Sequence, residues 1–245
     1  MAKAAAIIPA AGRGSRFGGP RNKIFETLGS QPMFLRTLEA FTSRDDVVQT
    51  LLAVSPDDAP TVKERYGGNL GFMGVTVVEG GASRSESIRN AMALVRDEVD
   101  LVAIHDAARP CIAQPWIDAV FAKAAETGAA ILAQPVVGTV KRVDDSRAIT
   151  ATLPRDEFCD LWEAQTPQVF RRELIARACA HGGQATDDAA LVEALGETVH
   201  AVPGDARNIK VTTRDDLDVA RAIINHLPKG KENRLLHPFQ DDLGL

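Results

Sequence analysis

The sequence predicts an α/β fold in which helices cover both faces of a mostly parallel β-sheet. Short apolar runs recur along the 245 residues, and segments with helical spacing separate them. Hydrophobic residues make up 45% of the chain, enough to fill a core. We therefore expect a Rossmann-like arrangement of three layers built from successive strand–helix–strand units.

The predicted strands are the apolar runs bounded by charged or turn-forming residues. In chain order they are residues 4–9, 47–54, 75–78, 101–105, 129–136 and 199–203.

Helices are predicted between these strands. The Gln31-Pro32 pair is expected to open one, because proline is favoured in a first helical turn. Residues 88–95 carry apolar side chains at i, i+3, i+4 and i+7, and two more helices are expected around 171–181 and 187–195.

The last helix has the clearest start signal. Thr213, with Asp216 three residues later, resembles a capping box, and an apolar face follows it. That face consists of Leu217, Ala220, Ile224 and Leu227. We expect one domain over residues 1–227, followed by a polar tail at 228–245.

Residues 136–161 depart from the strand–helix pattern. They alternate weakly between apolar and polar residues, carry many charges and have no helical stripe. A β-hairpin or extended arm projecting from the sheet is predicted, with its turn near Asp144. Because an arm has little core of its own, we expect it to pack on a partner and form a homodimer.

Composition excludes several classes of protein. No apolar run approaches the length of a membrane span, and the N-terminus lacks a signal peptide's apolar region, so a cytoplasmic protein without membrane contact is expected. Cys111, Cys159 and Cys179 are scattered, which suggests neither disulfides nor a zinc site. The net charge of -5 argues against nucleic-acid binding.

Positive charge is nevertheless concentrated at the N-terminus. The first 25 residues contain five basic side chains and no acidic one: Lys3, Arg13, Arg16, Arg21 and Lys23. The glycines between them miss both the P-loop and the GxGxxG spacings. A glycine loop that follows the first strand can still bring backbone N–H groups and cations to a phosphate. The alternative is an ordinary turn with solvated arginines.

A second group of polar residues follows the strand at 101–105. Asp106 lies where catalytic groups collect in parallel sheets, and Arg109 is one turn away. An aspartate there can hold Mg²⁺ or orient a substrate hydroxyl, although a helix cap or an Asp–Arg pair is an equal alternative. His105 is expected to be a core residue at the strand end, since no second histidine lies at ligand spacing.

Two weaker signals complete the set. Gly80-Gly81 follows a strand and Ser83 precedes a helix, which suits either contact with a nucleobase or a capped turn. Lys210 lies in NIKVT before the last helix, where it either meets phosphate or is an ordinary surface lysine.

Taken together and in this order, the segments resemble the 2-C-methyl-D-erythritol 4-phosphate cytidylyltransferases of the non-mevalonate isoprenoid pathway. The resemblance covers roughly residues 4–226. It rests on PAAGRGSRF, GPRNK, EGGASRSESI, HDAARP, PVVGTVKR, LPRDE, QTPQVF, TDDAA and NIKVTTRDDL.

The resemblance implies a nucleotidyltransferase fold with a dimerising β-arm and transfer of CMP from CTP to the polyol phosphate, with release of pyrophosphate. Such in-line transfer needs positioning and charge neutralisation rather than a protein nucleophile. Mg²⁺ or another divalent cation would be held mainly by the CTP phosphates, with Asp106 nearby. A cytidylyltransferase for another polyol phosphate, such as ribitol 5-phosphate, and a non-catalytic nucleotide-binding protein are the alternatives.

The resemblance also implies roles for individual residues. Those expected to be catalytic are Arg16, Lys23, Asp106 and Lys210. Those expected to contact CTP are Ala10, Ala11, Gly12, Gly14, Gly81 and Ser87. Those expected to bind the acceptor are Arg109, Thr139, Arg155 and Thr166, of which Thr139 and Arg155 flank an arm that crosses to the partner subunit in the family.

Two positions depart from the family pattern. Asn22 stands before Lys23 where proline is common, so the loop that carries this lysine is expected to differ in length or flexibility. Ala82 replaces an acidic residue that some members have after the double glycine.

Overall fold

A computed structural model describes residues 2–12, 14, 17–18, 22–154, 161–181 and 185–230. Its strands are β1 (Ala4–Pro9), β2 (Thr27–Leu28), β3 (Gln31–Pro32), β4 (Val47–Val54), β5 (Val75–Glu79), β6 (Leu101–Ile104), β7 (Ala129–Pro135), β8 (Lys141–Val143), β9 (Ile149–Thr152), β10 (Trp162–Arg171) and β11 (His200–Pro203). Its helices are α1 (Met33–Thr42), α2 (Ala59–Phe72), α3 (Arg84–Met92), α4 (Gln114–Thr127), α5 (Arg172–His181), α6 (Asp188–Glu193) and α7 (Arg214–Ile223), with 3₁₀ turns at Lys23–Phe25 and Ile224–His226.

The central sheet has seven strands in the order β11-β7-β10-β6-β1-β4-β5. All neighbouring pairs are parallel except those of β10, which runs antiparallel to both β6 and β7. The predicted α/β class and the mostly parallel sheet are confirmed. The predicted strand at 129–136 is present, but its neighbour β10 was not predicted from the sequence.

Helices pack on both faces of this sheet, as the three-layer prediction requires. The side chains of β1 alternate between two cores: Ala4, Ala6 and Ile8 join one, whereas Ala5 and Ile7 join the other. The first core includes side chains of α1, α2 and α4, and the second includes side chains of α3, α5 and α6. Strand β1 is therefore buried on both sides, which explains its uninterrupted apolar sequence.

The first helix begins later than its sequence suggests. Gln31 and Pro32 form β3, which pairs with β2, and Pro32 has an extended backbone at the N-cap of α1. The prediction that this pair lies in the first turn of the helix is thus wrong, although the helix begins at Met33, directly after Pro32. The same dipeptide at Gln114-Pro115 does begin a helix, α4, in which proline occupies the first turn.

The predicted arm contains a β-hairpin. Strands β8 and β9 pair antiparallel, and the Asp144 side chain closes the turn by accepting hydrogen bonds from the backbone N–H groups of Ser146 and Ala148. Residues 155–160, which include Cys159 near the end of the predicted arm, lie outside the described part of the chain, as do residues 231–245 of the predicted tail.

The capping box predicted for the last helix is present in α7. The Thr213 hydroxyl accepts a hydrogen bond from the backbone N–H of Asp216, and the Asp216 carboxylate accepts one from the backbone N–H of Thr213. The helix packs on a third apolar cluster that includes Phe17, Cys111 and Val211.

Replacing Thr213 by alanine removes one half of this capping box. We expect Thr213→Ala to lower the free energy of unfolding by about 1 kcal/mol, because a backbone N–H in the first turn loses its side-chain partner. Urea denaturation followed by circular dichroism measures the change. Thr198→Ala, an exposed threonine in the loop before β11, is the matched control and should change stability by less than about 0.5 kcal/mol. Equal effects of the two substitutions would contradict the assignment.

Candidate active site

A cleft of about 630 Å³ opens at the carboxyl edge of the parallel strands. The segments that follow β1, β4, β5 and β6 all line it, because the ends of parallel strands meet at one edge of the sheet. Its volume is in the range of small-molecule binding sites.

The floor of the cleft, which we define as the loops after β1 and β5, depends on one close approach between these loops. A Cβ atom placed on Gly80 would lie 2.6 Å from the Cβ of Ala11 and 3.0 Å from the backbone oxygen of Val54. Only glycine therefore allows the loop after β5 to come this close to the loop after β1. Gly81 then donates its N–H to the Ser87 hydroxyl, which is buried at the start of α3.

Asp106 lies at the centre of the charged part of the cleft. Lys210 Nζ is 2.8 Å from Asp106 Oδ2, Arg84 Nε is 3.6 Å from Oδ1, and Arg109 Nε is 3.6 Å from Oδ2. Burial alone would raise the pKa of Asp106, but the attraction of Lys210 and Arg84 outweighs it and holds this pKa well below its usual range. The carboxylate is therefore ionised and holds three cations together.

Arg84 connects this centre to a second buried carboxylate. Its Nη2 atom is 2.7 Å from Asp188 Oδ2, and Asp188 is almost fully buried at the start of α6. The N-cap of that helix, Asp187, is in turn hydrogen-bonded to Gln168 of β10. Burial opposes the charged form of Arg84, but Asp188 and Asp106 together raise its pKa above the usual value.

Lys23 is anchored on the segment that also carries Lys210. Its amine donates to the backbone oxygen of Val211 at 2.7 Å, and the Val211 N–H donates to the oxygen of Ala108, which joins NIKVT to the turn after β6. Gly14 has a φ of +59° and lies against the Lys23 side chain. The side chain of Lys23 therefore has a defined position in the cleft.

Asn22 anchors the short turn that carries Lys23. Its side-chain oxygen accepts from the N–H of Ile24, and its amide donates to Asp58 Oδ2 at 2.9 Å and to the oxygen of Ala10. Asn22 thus caps the turn and connects it to the end of the first strand. Proline lacks these hydrogen-bonding groups and could stabilise the turn only by restricting its backbone.

Most of the predicted site residues converge on this cleft. Those that line it are Ala10, Ala11, Gly12, Gly81, Ser87, Lys23, Asp106 and Lys210. Gly14 supports Lys23, as described above. Arg16 and Arg155 lie outside the described residues.

Three predicted acceptor-binding residues have other surroundings. Arg109 and Thr166 are buried beside Asp106, and Arg109 Nη1 donates to the backbone oxygen of Asn208. Thr139 is exposed at the base of the arm and is not among the described residues that line the cleft of its own chain.

The sequence interpretation missed several polar residues of the site. Arg84 joins Asp106 to Asp188, and the buried Asn208 contacts the backbone oxygen of Thr166 and the side chain of Arg109. A partial signal for Arg84 was its place directly after the predicted N-cap Ser83. Asn208 is the first residue of NIKVT, but the sequence interpretation assigned a role only to Lys210 in that segment.

His105 is buried, as expected, but it is hydrogen-bonded on both ring nitrogens. Nδ1 lies 3.0 Å from the Thr166 hydroxyl and Nε2 lies 3.0 Å from the backbone oxygen of Arg109. Burial lowers the pKa of His105 to about 4, although the bond to the Arg109 carbonyl opposes this shift. The ring is neutral at physiological pH.

The cleft and the fold together define a class of protein: an α/β protein with a nucleotide-sized site lined by glycine backbone and cations at the carboxyl edge of its sheet. The family model described as 2-C-methyl-D-erythritol 4-phosphate cytidylyltransferase matches residues 4–226, and the chain belongs to this family.

Individual relatives agree with the family assignment. The chain is 42% identical to the 2-C-methyl-D-erythritol 4-phosphate cytidylyltransferase of Rhodopirellula baltica over 237 residues, which cover 91% of this chain and 96% of that protein. It is also 42% identical to the protein of that name from Dechloromonas aromatica, over 89% of this chain and 96% of the relative.

Solved structures give the same result. A crystal structure of a 4-diphosphocytidyl-2C-methyl-D-erythritol synthase superposes with a TM-score of 0.76 at 33% identity and covers 91% of this chain and 99% of its own. The cytidylyltransferase from Thermus thermophilus gives a TM-score of 0.72 at 30% identity, with 90% of this chain and 98% of its own covered.

The neutral state of buried His105 makes stability depend on pH. The unfolded chain protonates this residue near pH 6.5, whereas the folded protein resists protonation until about pH 4, so acid favours unfolding between these values. We expect the free energy of unfolding to fall by about 2 kcal/mol from pH 7 to pH 5, as measured by urea denaturation.

His105→Asn should remove most of this loss. His181→Asn, which replaces an exposed histidine at the end of α5, is the control and should leave the loss unchanged. A pH dependence that persists in His105→Asn would contradict the assignment to this residue.

Proposed function

We propose that this chain transfers CMP from CTP to 2-C-methyl-D-erythritol 4-phosphate, forming 4-diphosphocytidyl-2-C-methyl-D-erythritol and pyrophosphate. The observation that carries the proposal is a cleft in which Lys23 and Lys210 accompany a glycine-lined floor, in a chain that belongs to this family along residues 4–226.

The glycine-lined floor suits the nucleoside of CTP. Ala10, Ala11, Gly12 and Gly81, which have a methyl group or no side chain, line the cleft, and the Ser87 hydroxyl accepts a hydrogen bond from the Gly81 N–H. In this proposal they contact the cytosine and ribose, and the cations beyond them face the triphosphate.

The reaction needs no protein nucleophile. A phosphate oxygen of the acceptor forms a bond to the α-phosphorus of CTP while the bond from that phosphorus to the bridging oxygen breaks, and pyrophosphate leaves in line. Lys23, together with Arg16, is proposed to stabilise the negative charge of the transition state and of the departing group. Lys210, held against Asp106, is proposed to position the reacting phosphates.

A divalent cation fits the site only if the protein and the substrate phosphates both supply ligands. Among the described residues, no three His, Cys, Asp or Glu side chains lie together as a metal-binding group. Magnesium is commonly bound by one or two carboxylates together with substrate phosphates. Among the described residues that line the cleft, Asp57 and Asp106 carry carboxylates, and three cations already neutralise Asp106. When bound, Mg²⁺ would neutralise charge on the triphosphate.

Lys23→Ala tests the proposed catalytic role. We expect kcat to fall about a hundredfold or more with little change in the dissociation constant of CTP, because this cation acts mainly on charge that develops during transfer. Pyrophosphate release with CTP, Mg²⁺ and 2-C-methyl-D-erythritol 4-phosphate measures the rate. Lys63→Ala removes an exposed lysine of α2 and should leave the rate unchanged.

The same assay tests the proposed activity. Pyrophosphate release with ribitol 5-phosphate instead would reassign the acceptor. If the unmodified protein releases no pyrophosphate with either acceptor, the proposed activity is wrong.

We also propose that the arm makes the protein a homodimer. The arm exposes apolar side chains, with Val137 89%, Ile149 64% and Val143 51% exposed. Isolated two-stranded hairpins are marginally stable in water, so an arm of this kind gains stability from a partner surface. Thr139 at the base of the arm, together with Arg155, would then reach the cleft of the partner subunit.

The location of the protein in the cell is part of the same proposal. In the described part of the chain no helix is both long and apolar enough to cross a membrane. Because the proposed substrates are small phosphorylated molecules, we propose a cytoplasmic location without a nucleic-acid or membrane partner.

A charge on the arm should disrupt the proposed dimer. Ile149→Asp is expected to shift the protein from dimer to monomer in analytical ultracentrifugation, because it places an unpaired carboxylate in an apolar interface. Val219→Asp, which changes a half-exposed valine on α7, is the control and should leave the mass unchanged. A monomeric mass for the unmodified protein would overturn the dimer proposal.

A further inference from the structure

The turn that carries Lys23 begins with a residue whose backbone conformation is typical of proline. Asn22 has a φ of -62° and a ψ of 131° at the N-cap of the 3₁₀ turn Lys23–Phe25. A proline ring would fix this φ covalently. Asn22 has no ring, so its conformation depends on the contacts that it makes with the surrounding structure.

Apolar packing holds the end of this turn but not its start. Ile24 is buried in the first core, and the Phe25 ring stacks on the Tyr66 ring of α2 with 5.9 Å between the ring centroids. These residues follow Lys23, whereas Asn22 precedes it and is polar. The start of the turn is therefore held by hydrogen bonds.

One carboxylate oxygen of Asp58 supplies this support. Asp58 Oδ2 accepts hydrogen bonds from Asn22 Nδ2 at 2.9 Å and from the Ser55 hydroxyl at 2.8 Å. The Ser55 hydroxyl in turn accepts from the backbone N–H of Asp58 at 3.1 Å. Ser55 thus orients the carboxylate oxygen that receives the Asn22 amide.

The place of Asp58 in the chain would favour a different role, which its side chain does not fill. Asp58 is the N-cap residue of α2, a position where a carboxylate commonly accepts from an N–H of the first helical turn. Its side chain makes no such bond to the helix. The carboxylate therefore supports the turn that carries Lys23 and does not cap its own helix.

We propose that Asp58 is a positioning residue for the transfer reaction, because through Asn22 it holds the turn that carries Lys23. This inference rests on the proposed function, which gives Lys23 its catalytic role. Asp58 is not among the described residues that line the cleft, whereas its neighbours Ser55 and Asp57 are. It acts on the reaction through Asn22 and Lys23, without touching the substrates.

Removing the carboxylate should slow transfer and leave nucleotide binding intact. We expect Asp58→Ala to lower kcat about tenfold, because a small displacement of a catalytic group is costly, with the dissociation constant of CTP unchanged. Asp58→Asn keeps one oxygen that can accept from both Asn22 and Ser55, so its kcat should stay within about twofold of the unmodified value. Unchanged kcat in Asp58→Ala would overturn the inference.

Asp45→Ala is the matched control for these variants. Asp45 is an exposed aspartate just before β4, and Asp58 lies just after the same strand. The substitution removes a carboxylate outside the cleft and should leave kcat unchanged. A loss of kcat in Asp45→Ala equal to that in Asp58→Ala would contradict a specific role for Asp58.

Two variant backgrounds separate positioning of Lys23 from a general loss of structure. In Lys23→Ala protein, Asp58→Ala should cause no further fall in kcat, because the group that Asp58 positions is already absent. In Asn22→Pro protein the ring restricts φ without help from Asp58, so adding Asp58→Ala should change kcat by less than about twofold. A loss of about tenfold in either background would show that Asp58 acts by another route and overturn the inference.

Hydrogen exchange tests the support of the turn without catalysis. The backbone N–H of Ile24 donates to the Asn22 side-chain oxygen at 3.3 Å. We expect this N–H to exchange about threefold faster or more in Asp58→Ala than in Asp58→Asn, as measured by NMR. Equal exchange rates in the two variants would contradict support of the turn by Asp58.

The result is distinguishable from failure of the proposed function. If the unmodified protein releases no pyrophosphate with 2-C-methyl-D-erythritol 4-phosphate, the proposed activity fails. If it does so normally but neither kcat nor exchange at Ile24 responds to Asp58→Ala, only the inference about Asp58 fails.

Discussion

The buried carboxylate of Asp106 is the group on which the remainder of the cleft depends. A buried charge without partners is very costly, so its three cations are structural requirements as much as functional groups. Arg84 comes from the start of α3, Arg109 from the turn after β6 and Lys210 from the segment before α7. The ionised carboxylate of Asp106 therefore fixes the relative positions of three segments that are distant in the sequence.

The backbone around Asp106 gives this cluster its rigidity. The bond from Val211 N–H to Ala108 and the bond from the Lys23 amine to Val211 join the N-terminal loop, the turn after β6 and NIKVT. Below them, β10 inserts Gln165, Thr166 and Gln168 between two parallel strands. The antiparallel strand β10 thus adds polar side chains next to a cleft whose other neighbours are parallel strands. It also directly follows the arm in the chain.

Much of the fold was predictable because strands buried on both faces leave a strong apolar signal. The runs that became β1, β4, β6 and β7 were predicted nearly at their observed bounds. Strand β10 was missed because its polar residues face a buried hydrogen-bond network, which breaks the apolar pattern. Pro32 was misassigned because local propensity cannot reveal pairing between β2 and β3, which depends on the chain folding back.

For the site, the sequence by itself determined the kinds of group present: a glycine loop with cations, an aspartate after a buried strand and a lysine before the last helix. Their order along the chain was sufficient to indicate the family. Only the tertiary structure decided that Arg84 joins Asp106 to Asp188, and that His105 contacts the Thr166 hydroxyl. These contacts join residues up to about a hundred positions apart, such as Arg84 and Asp188. Hydrogen-bond direction depends on which groups meet in space, and local sequence carries no information about that.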